Sequence, residues 1–375
     1  MKIGEIANFQ NGYAFKSKDF NNDGKYKIIK IKELKEGKVK FFDDSASVNI
    51  EDEKKFEKYI VRNGDILFAL TGDPVNKNNP LSWVGRVSIY ESNQLALLNQ
   101  RVAKLIPTDK INSKYIYYYF RDFKNFYRLA SIAKGSASQA NISTKDIEAV
   151  EIELPDINIQ DKVVLILDYI EEKININNKI NNNLEQQAAL LFDENYSNNN
   201  YNISTLEAVA TIKYGKGLPT KKLTAQGFPV FGGNGVIGRY THFMYEEPQV
   251  LVSCRGAASG KIMESYPNSF VTNNSLILEW NDYRYYEFYK QFLLANPLNS
   301  YATGSAQPQI TIDNIKNVPI PYPNYDEISE LCLTLRSISS LHYENVIENN
   351  KLANLRDTLL PHLMSGELDV SNIDL

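Results

Sequence analysis

Gly135-Ser-Ala-Ser-Gln-Ala-Asn-Ile-Ser-Thr-Lys-Asp-Ile147 and Gly304-Ser-Ala-Gln-Pro-Gln-Ile-Thr-Ile-Asp-Asn-Ile315 are two versions of one passage. Each leads into a Val-x-Ile-x-x-Pro segment, Val150 to Pro155 and Val318 to Pro323, 168 residues apart. Self-similarity at a nearly fixed offset marks a duplicated structural unit. Working outward, Gly64-Asp-Ile-Leu-Phe-Ala-Leu-Thr-Gly72 matches the pattern of Pro248-Gln-Val-Leu-Val-Ser-Cys-Arg-Gly256. Gly85-Arg-Val and Gly260-Lys-Ile follow, and Ile3 to Gly12 resembles Leu206 to Gly215 at an offset of 203. The halves therefore share a framework and differ in their loops.

Each half opens with β signals: Tyr26 to Ile31, Asp65 to Leu70, Arg86 to Tyr90 and Val102 to Ile106 are β-branched or alternating runs between Gly, Asn, Asp and Pro turns. An aromatic stretch with helical character follows, Lys114 to Leu129 and Tyr283 to Leu294. The unit reads as α+β with a mostly antiparallel sheet. The tyrosines at 115, 117, 118 and 119, and those at 283, 285 and 286, occupy equivalent helical segments, so they are expected to pack on the sheet rather than stack on bases.

After each half the pattern changes. From about Asn158 to Asn195 there is neither Gly nor Pro, and Val163, Ile166, Ile170, Ile180, Leu184 and Leu191 recur at spacings compatible with a heptad seam. Ile328, Leu331, Leu335, Ile338, Leu352 and Leu359 do the same before Pro361, where the helix is expected to stop. At ~1.5 Å per residue, about 36 residues make a rod of roughly 54 Å, the length of a spacer. The seam centres are polar: Asn177 and Asn181 in the first helix, Asn345 and Asn349 in the second, each pair offset by 168. In an antiparallel pair with a pseudo-twofold axis, equivalent positions are expected to face one another and fix register. The plainer reading is that Asn is abundant here, with eleven between Lys173 and Asn202.

Length and composition agree with two domains. The 375 residues are 43% hydrophobic and 23% charged, which excludes wholesale disorder. The densest apolar run, Val163 to Ile170, is too short to span a bilayer, and the Met-Lys-Ile-Gly-Glu start lacks a signal-peptide core, so no membrane association and a cytoplasmic location are expected. Two cysteines and three histidines cannot build a disulfide framework or a zinc site, and no metal is expected.

The net charge of −4 argues by itself against nucleic acid, but its distribution does not. Met1 to Lys40 carries ten lysines against five acids, and Thr211 to Ile262 carries seven Lys or Arg against Glu246 and Glu247 alone. Lys and Arg on phosphates supply affinity, while Arg, Lys, Asn and Gln read base edges, so polar residues in glycine-rich loops of these zones are the candidates. In the second half these are Lys216, Asn234, Arg239, Ser253, Arg255 and Lys261 around Phe231-Gly-Gly-Asn-Gly-Val-Ile-Gly238, a segment that a tight turn would also explain. In the first half they are Lys16, Lys18, Thr71 (matching Arg255) and Arg86 (matching Lys261). The Gly-Ser-Ala loops add Ser136, Ser138, Gln139, Ser305, Gln307 and Gln309, whose hydroxyls and amides suit either phosphate and adenine contacts or the capping of the next turn.

Two enzymatic readings fail on their residues. Phe231-Gly-Gly-Asn-Gly235 superficially resembles a cofactor loop, but an adenine methyltransferase also needs an Asn/Asp-Pro-Pro-aromatic tetrapeptide, and Asn79-Pro80 and Asn296-Pro297 are each followed by Leu. Asp168-x-x-Glu171-Glu172-Lys173 could hold magnesium in a nuclease, yet it lies on a long helix where Glu and Lys are ordinary surface residues. A protein-binding coiled-coil scaffold or a stand-alone DNA-binding protein remains as an alternative.

Taken together, the Gly-Ser-Ala and Ile-x-x-Pro signatures, the Gly-Asp-Ile-Leu strand, Pro229-Val-Phe-Gly-Gly-Asn-Gly-Val-Ile-Gly238 and Leu359-Leu-Pro-His-Leu-Met-Ser-Gly-Glu-Leu368 resemble the specificity subunits of type I restriction-modification systems over nearly the whole chain. Where that family usually opens each helix with Glu-Gln, this chain has Ile159-Gln-Asp161 and Glu327-Ile-Ser329. The resemblance implies two similar target-recognition domains, at 1–155 and 201–323, separated by a pair of long antiparallel coiled-coil helices, at 156–200 and within 324–375, related by a pseudo-twofold axis. It further implies that each domain reads half of a split duplex target, with no catalysis and no cofactor in this chain. Partners would be double-stranded DNA, two methyltransferase subunits using S-adenosylmethionine and two restriction subunits using ATP and Mg. A bias to Lys, Asn, Ile and Tyr suggests an AT-rich bacterial genome.

Overall fold

β-branched runs bounded by Gly and Asn turns form the strands, and the Gly- and Pro-free stretches form the helices. The structure, a computed structural model, describes residues 1–21, 23–224, 226–304 and 307–373. It divides into two units, Met1–Lys173 with Lys351–Leu375, and Ile174–Asn350.

In the first unit a six-stranded sheet has the order Ala7–Asn11, Val102–Pro107, Ile66–Ala69, Val87–Ile89, Lys38–Val39, Leu34–Lys35. Its first four strands pair antiparallel. In a second sheet Tyr26–Ile29 lies parallel to Ala96–Leu98. A small ribbon joins Lys134–Gly135, Ala140–Asn141 and Thr71–Gly72. Beneath the sheet lie the aromatic helices Ser113–Tyr119 and Phe123–Ser131, with Tyr115, Tyr117, Tyr118 and Tyr119 all buried. Burial pushes the Tyr115 hydroxyl up to about 12.

The second unit repeats the frame. Ala210–Tyr214, Ser275–Trp280, Val250–Ser253 and Ile262–Glu264 pair antiparallel in the same order as the first four strands above. Phe228–Gly232 runs parallel to Phe270–Val271, as Tyr26–Ile29 does to Ala96–Leu98. Even a glycine requirement recurs: a Cβ on Gly12 would lie 2.1 Å from the Asn99 carbonyl oxygen, and one on Gly215 2.2 Å from that of Thr272. The sheets are thus mostly antiparallel, as the sequence suggests, and the few parallel pairs form across long crossovers that leave no local pattern. Of the second tyrosine cluster, Tyr285 and Tyr286 are buried in the core beside Phe288 and Trp280, while Tyr283 stays partly exposed and stacks on Tyr286.

The long helices are Ile157–Ser197 and Tyr325–Met364. Pro361 does not end the second one. It sits inside the final turn, where its missing N–H costs a single hydrogen bond, and Leu360, Leu363 and Met364 around it are buried in the first unit's core. In that unit Asp168 accepts from Lys114 Nζ at 2.6 Å and from the Tyr118 hydroxyl at 2.8 Å. Arg356 Nη1 donates to Glu171 at 2.7 Å, so two carboxylates of the magnesium-like motif are engaged in helix packing. In the second unit Asn177 Nδ2 donates to Asn349 Oδ1 at 2.9 Å and Asn345 Nδ2 to Asn181 Oδ1 at 2.8 Å. Equivalent residues therefore do not face one another as expected. They pair crosswise, one helical turn away, an arrangement that maps onto itself when the two helices are exchanged.

Candidate nucleic-acid interface

Five of the second-half candidates converge where the four-stranded sheet ends. Strand Val250–Ser253 runs out through Cys254 to Arg255, whose backbone bridges to Gln309. The Gly256 N–H donates to the Pro308 carbonyl at 3.0 Å, and the Ser259 hydroxyl donates to the same oxygen at 2.8 Å. The chain turns back at Gly260, where φ is +91° and the N–H meets the Ser253 carbonyl at 2.8 Å. Lys261 follows, and its Nζ donates to Asn234 Oδ1 at 2.9 Å. Asn234 sits at the tip of a two-residue hairpin turn closed by Gly232 and Gly235. Arg255, Lys261, Asn234, Gln307 and Gln309 are all exposed there. Lys216, also exposed, joins this end through a backbone bridge to Thr272. Arg239 is half-buried and donates to the Gly227 carbonyl at 2.9 Å, bracing the hairpin.

The equivalent place in the first unit has the same backbone and different side chains. Thr71 pairs with Asn141 and Gly72 with Ala140, the counterparts of Arg255 with Gln309 and of Gly256 with Pro308. The loop entering this ribbon exposes Ser136, Ser138 and Gln139. The two hydroxyls lie 3.0 Å apart and Ser136 Oγ accepts the Gln139 N–H at 3.2 Å, so the loop is internally capped. Lys16 and Lys18 are exposed around the short turn Ser17–Asp19, where Asp19 accepts the Lys16 backbone N–H at 3.0 Å. Lys134 stands exposed at the ribbon's edge. In sequence its only mark is a charge adjoining the Gly-Ser-Ala motif.

Two expected contacts are corrected by burial, and a third, half-buried, by its bonds to backbone. Ser253 is fully buried with its hydroxyl unpartnered among the described residues. Thr71 is 3% exposed and donates to Asn141 Oδ1 at 2.8 Å. Arg86 turns inward, its Nη1 donating to the Leu34 and Leu81 carbonyls at 3.3 and 2.8 Å, and burial lowers its pKa. Strand ends packed on both faces hide the in/out alternation that would have revealed this. Ser305 lies outside the described residues.

Behind the second-unit site, Glu264 on strand Ile262–Glu264 accepts from Tyr286 Oη at 2.8 Å and from Lys290 Nζ at 3.0 Å. Lys290 also meets Glu287 at 2.6 Å and Ser339 of the second long helix at 2.8 Å. Burial works against its charge, but the two carboxylates outweigh it and raise its pKa. The strand that begins next to Lys261 is thereby tied to the long helix.

A duplicated α+β framework that twice brings exposed polar loops to the same sheet end defines a class of two-module protein. Residues 1–186 and 198–341 match the type I restriction modification DNA specificity domain, and the chain belongs to that family. It is 22% identical over 322 residues to the type I restriction enzyme MjaIX specificity subunit of Methanocaldococcus jannaschii, a match covering 73% of each chain. It is 26% identical over 176 residues to the EcoAI specificity subunit of Escherichia coli, covering 46% of this chain and 28% of that one. The crystal structure of the type I restriction-modification S subunit from M. genitalium superposes with a TM-score of 0.59 at 16% identity, covering 97% of this chain and 95% of that one. That likeness is one of fold. Among the described residues no helix is long and apolar enough to cross a membrane.

Proposed function

We propose that this chain reads a bipartite duplex target, one half-site per unit, as the non-catalytic specificity subunit of a type I restriction-modification complex. The observation that carries the reading is the repetition of one site frame in both units with different side chains on it, Arg255 and Gln309 in one and Thr71 and Asn141 in the other. A shared backbone with exchanged side chains suits two modules that dock on DNA alike and read different bases. The two long helices, each running from one unit into the other, set the unread gap, with the crosswise asparagines holding their register. Methyltransferase subunits dock on the acidic helices and supply S-adenosylmethionine chemistry, restriction subunits supply ATP- and Mg-dependent cleavage, and this chain binds no cofactor of its own. Methylome sequencing of cells expressing the chain with its modification subunit tests the proposal. A methylated motif of two short half-sites at a fixed gap, lost when this chain is omitted, supports it. Methylation independent of the chain rejects it.

A further inference from the structure

Gly72 and Gly85 of the first unit match Gly256 and Gly260 of the second, but what lies between them differs. The second unit has three residues, Ala257 to Ser259, and the first has twelve, Asp73 to Val84. This insertion leaves the ribbon after Gly72, as the shorter loop leaves its counterpart Gly256, and it does so in the unit whose own strand-end candidates, Thr71 and Arg86, are turned inward. The second unit reaches out with side chains on the frame, whereas in the first Thr71 is buried, Arg86 is half-buried with its Nη1 on backbone carbonyls, and the loop is longer.

The loop is built to hold one shape. Its ends are closed by Asp73 N–H to the Ser82 carbonyl at 2.8 Å and Val84 N–H to the Asp73 carbonyl at 3.0 Å. The Ser82 hydroxyl donates to Asp73 Oδ2 at 2.8 Å. Trp83, 6% exposed, stacks on Phe126 and sends its indole N–H to the Lys77 carbonyl at 3.0 Å, holding the loop tip from beneath. Asn79 caps the turn Pro80–Ser82 by accepting the Leu81 N–H. The anchoring bonds use backbone or the side chains of Asp73, Asn79, Ser82, Trp83 and Arg86, whose Nη1 donates to the Leu81 carbonyl at 2.8 Å. The side chains of Asn76, Lys77 and Asn78 are exposed, and none of the described residues bonds them. A rigid loop that leaves an Asn-Lys-Asn tip free is a preorganised reader: Asn pairs bidentately with adenine and Lys with guanine or phosphate, and the ordering entropy is met by folding rather than by binding.

We infer that Asn76, Lys77 and Asn78 are base-reading residues of the first unit, standing in for the work done in the second by Arg255 and Gln309. The inference rests on the proposed bipartite reading. Its test is methylome sequencing of cells carrying the modification subunit with the wild-type chain, with Asn76→Ala/Lys77→Ala/Asn78→Ala, or with Arg255→Ala/Gln309→Ala. The triple variant is expected to relax base preference in one half-site, by on the order of 5- to 150-fold per lost base contact, and to leave the other half-site unchanged. The Arg255 and Gln309 variant should relax only the opposite half. Unchanged half-sites in the triple variant overturn the inference while a bipartite wild-type motif keeps the functional reading intact; a wild-type chain with no motif fails that reading itself. A triple variant that melts many degrees lower, or no longer co-purifies with the modification subunit, assigns the tip to folding or to protein docking and equally overturns a base-reading role.

Discussion

Lys290→Met isolates the tie between the second unit's candidate site and the second long helix. Lys290 is 4% exposed and its ammonium lies within 3.0 Å of Glu264 and 2.6 Å of Glu287, itself 5% exposed. Methionine keeps most of the aliphatic stem and removes the charge, leaving two carboxylates and the Ser339 hydroxyl without their common cation. Breaking a buried ion pair from one side costs about 3–5 kcal/mol. For a unit of this size each kcal/mol is worth roughly 2–4 °C, so a drop of about 6–20 °C is expected in differential scanning calorimetry. The pH dependence has a definite sign. Burial already raises the Glu287 carboxyl, opposed by Lys290. Without that charge its folded-state value rises further above the unfolded one, so the deficit is full at pH 8 and shrinks as falling pH protonates the carboxyl. Adding Glu287→Gln should recover much of the loss at pH 8. A Lys290→Met protein that melts like wild type at pH 8, or whose deficit is the same at pH 5.5, refutes the network as described.

Replacing Asn177 and Asn349 together by Leu should raise the melting temperature, since Asn177 is fully buried with its Oδ1 unpaired among the described residues, while blurring the gap length in the methylome because register is no longer specified. Ser253→Ala should leave duplex affinity within experimental error in a fluorescence-anisotropy titration, whereas Arg255→Ala should weaken binding to the cognate duplex by about 1–3 kcal/mol. Gly215→Ala should lower the melting temperature markedly, because its Cβ would meet the Thr272 carbonyl oxygen at 2.2 Å.

Much of the frame was legible because the relevant signals are local. The helix expected from Asn158 to Asn195 spans Ile157–Ser197, and the strand expected from Val102 to Ile106 spans Val102–Pro107. Both rest on periodicity and turn residues a few positions apart. What escaped was set by distant partners. Tyr26–Ile29 finds its parallel mate about seventy residues on, at Ala96–Leu98, and nothing in either segment names the other. Pro361 looks like a stop in sequence because its cost is local, while the burial of Leu360, Leu363 and Met364 that offsets it is tertiary. At the candidate site, side-chain directions were not legible. Arg255 and Thr71 occupy the same backbone position, yet one is exposed and the other buried. The Asn76 to Asn78 tip has no counterpart in the other half, so the repeat that marks the frame conceals the insertion.

The central claim is that the long helices measure the distance between two half-sites. Four residues inserted after Asn178, matched by four after Glu348 on the facing helix, would keep the pair in step and lengthen it by about 6 Å, close to two base pairs at ~3.4 Å each. Methylome sequencing with the modification subunit should then show both half-sites unchanged and the gap between them longer by about two base pairs. An unchanged gap, or altered half-site bases, would contradict the account.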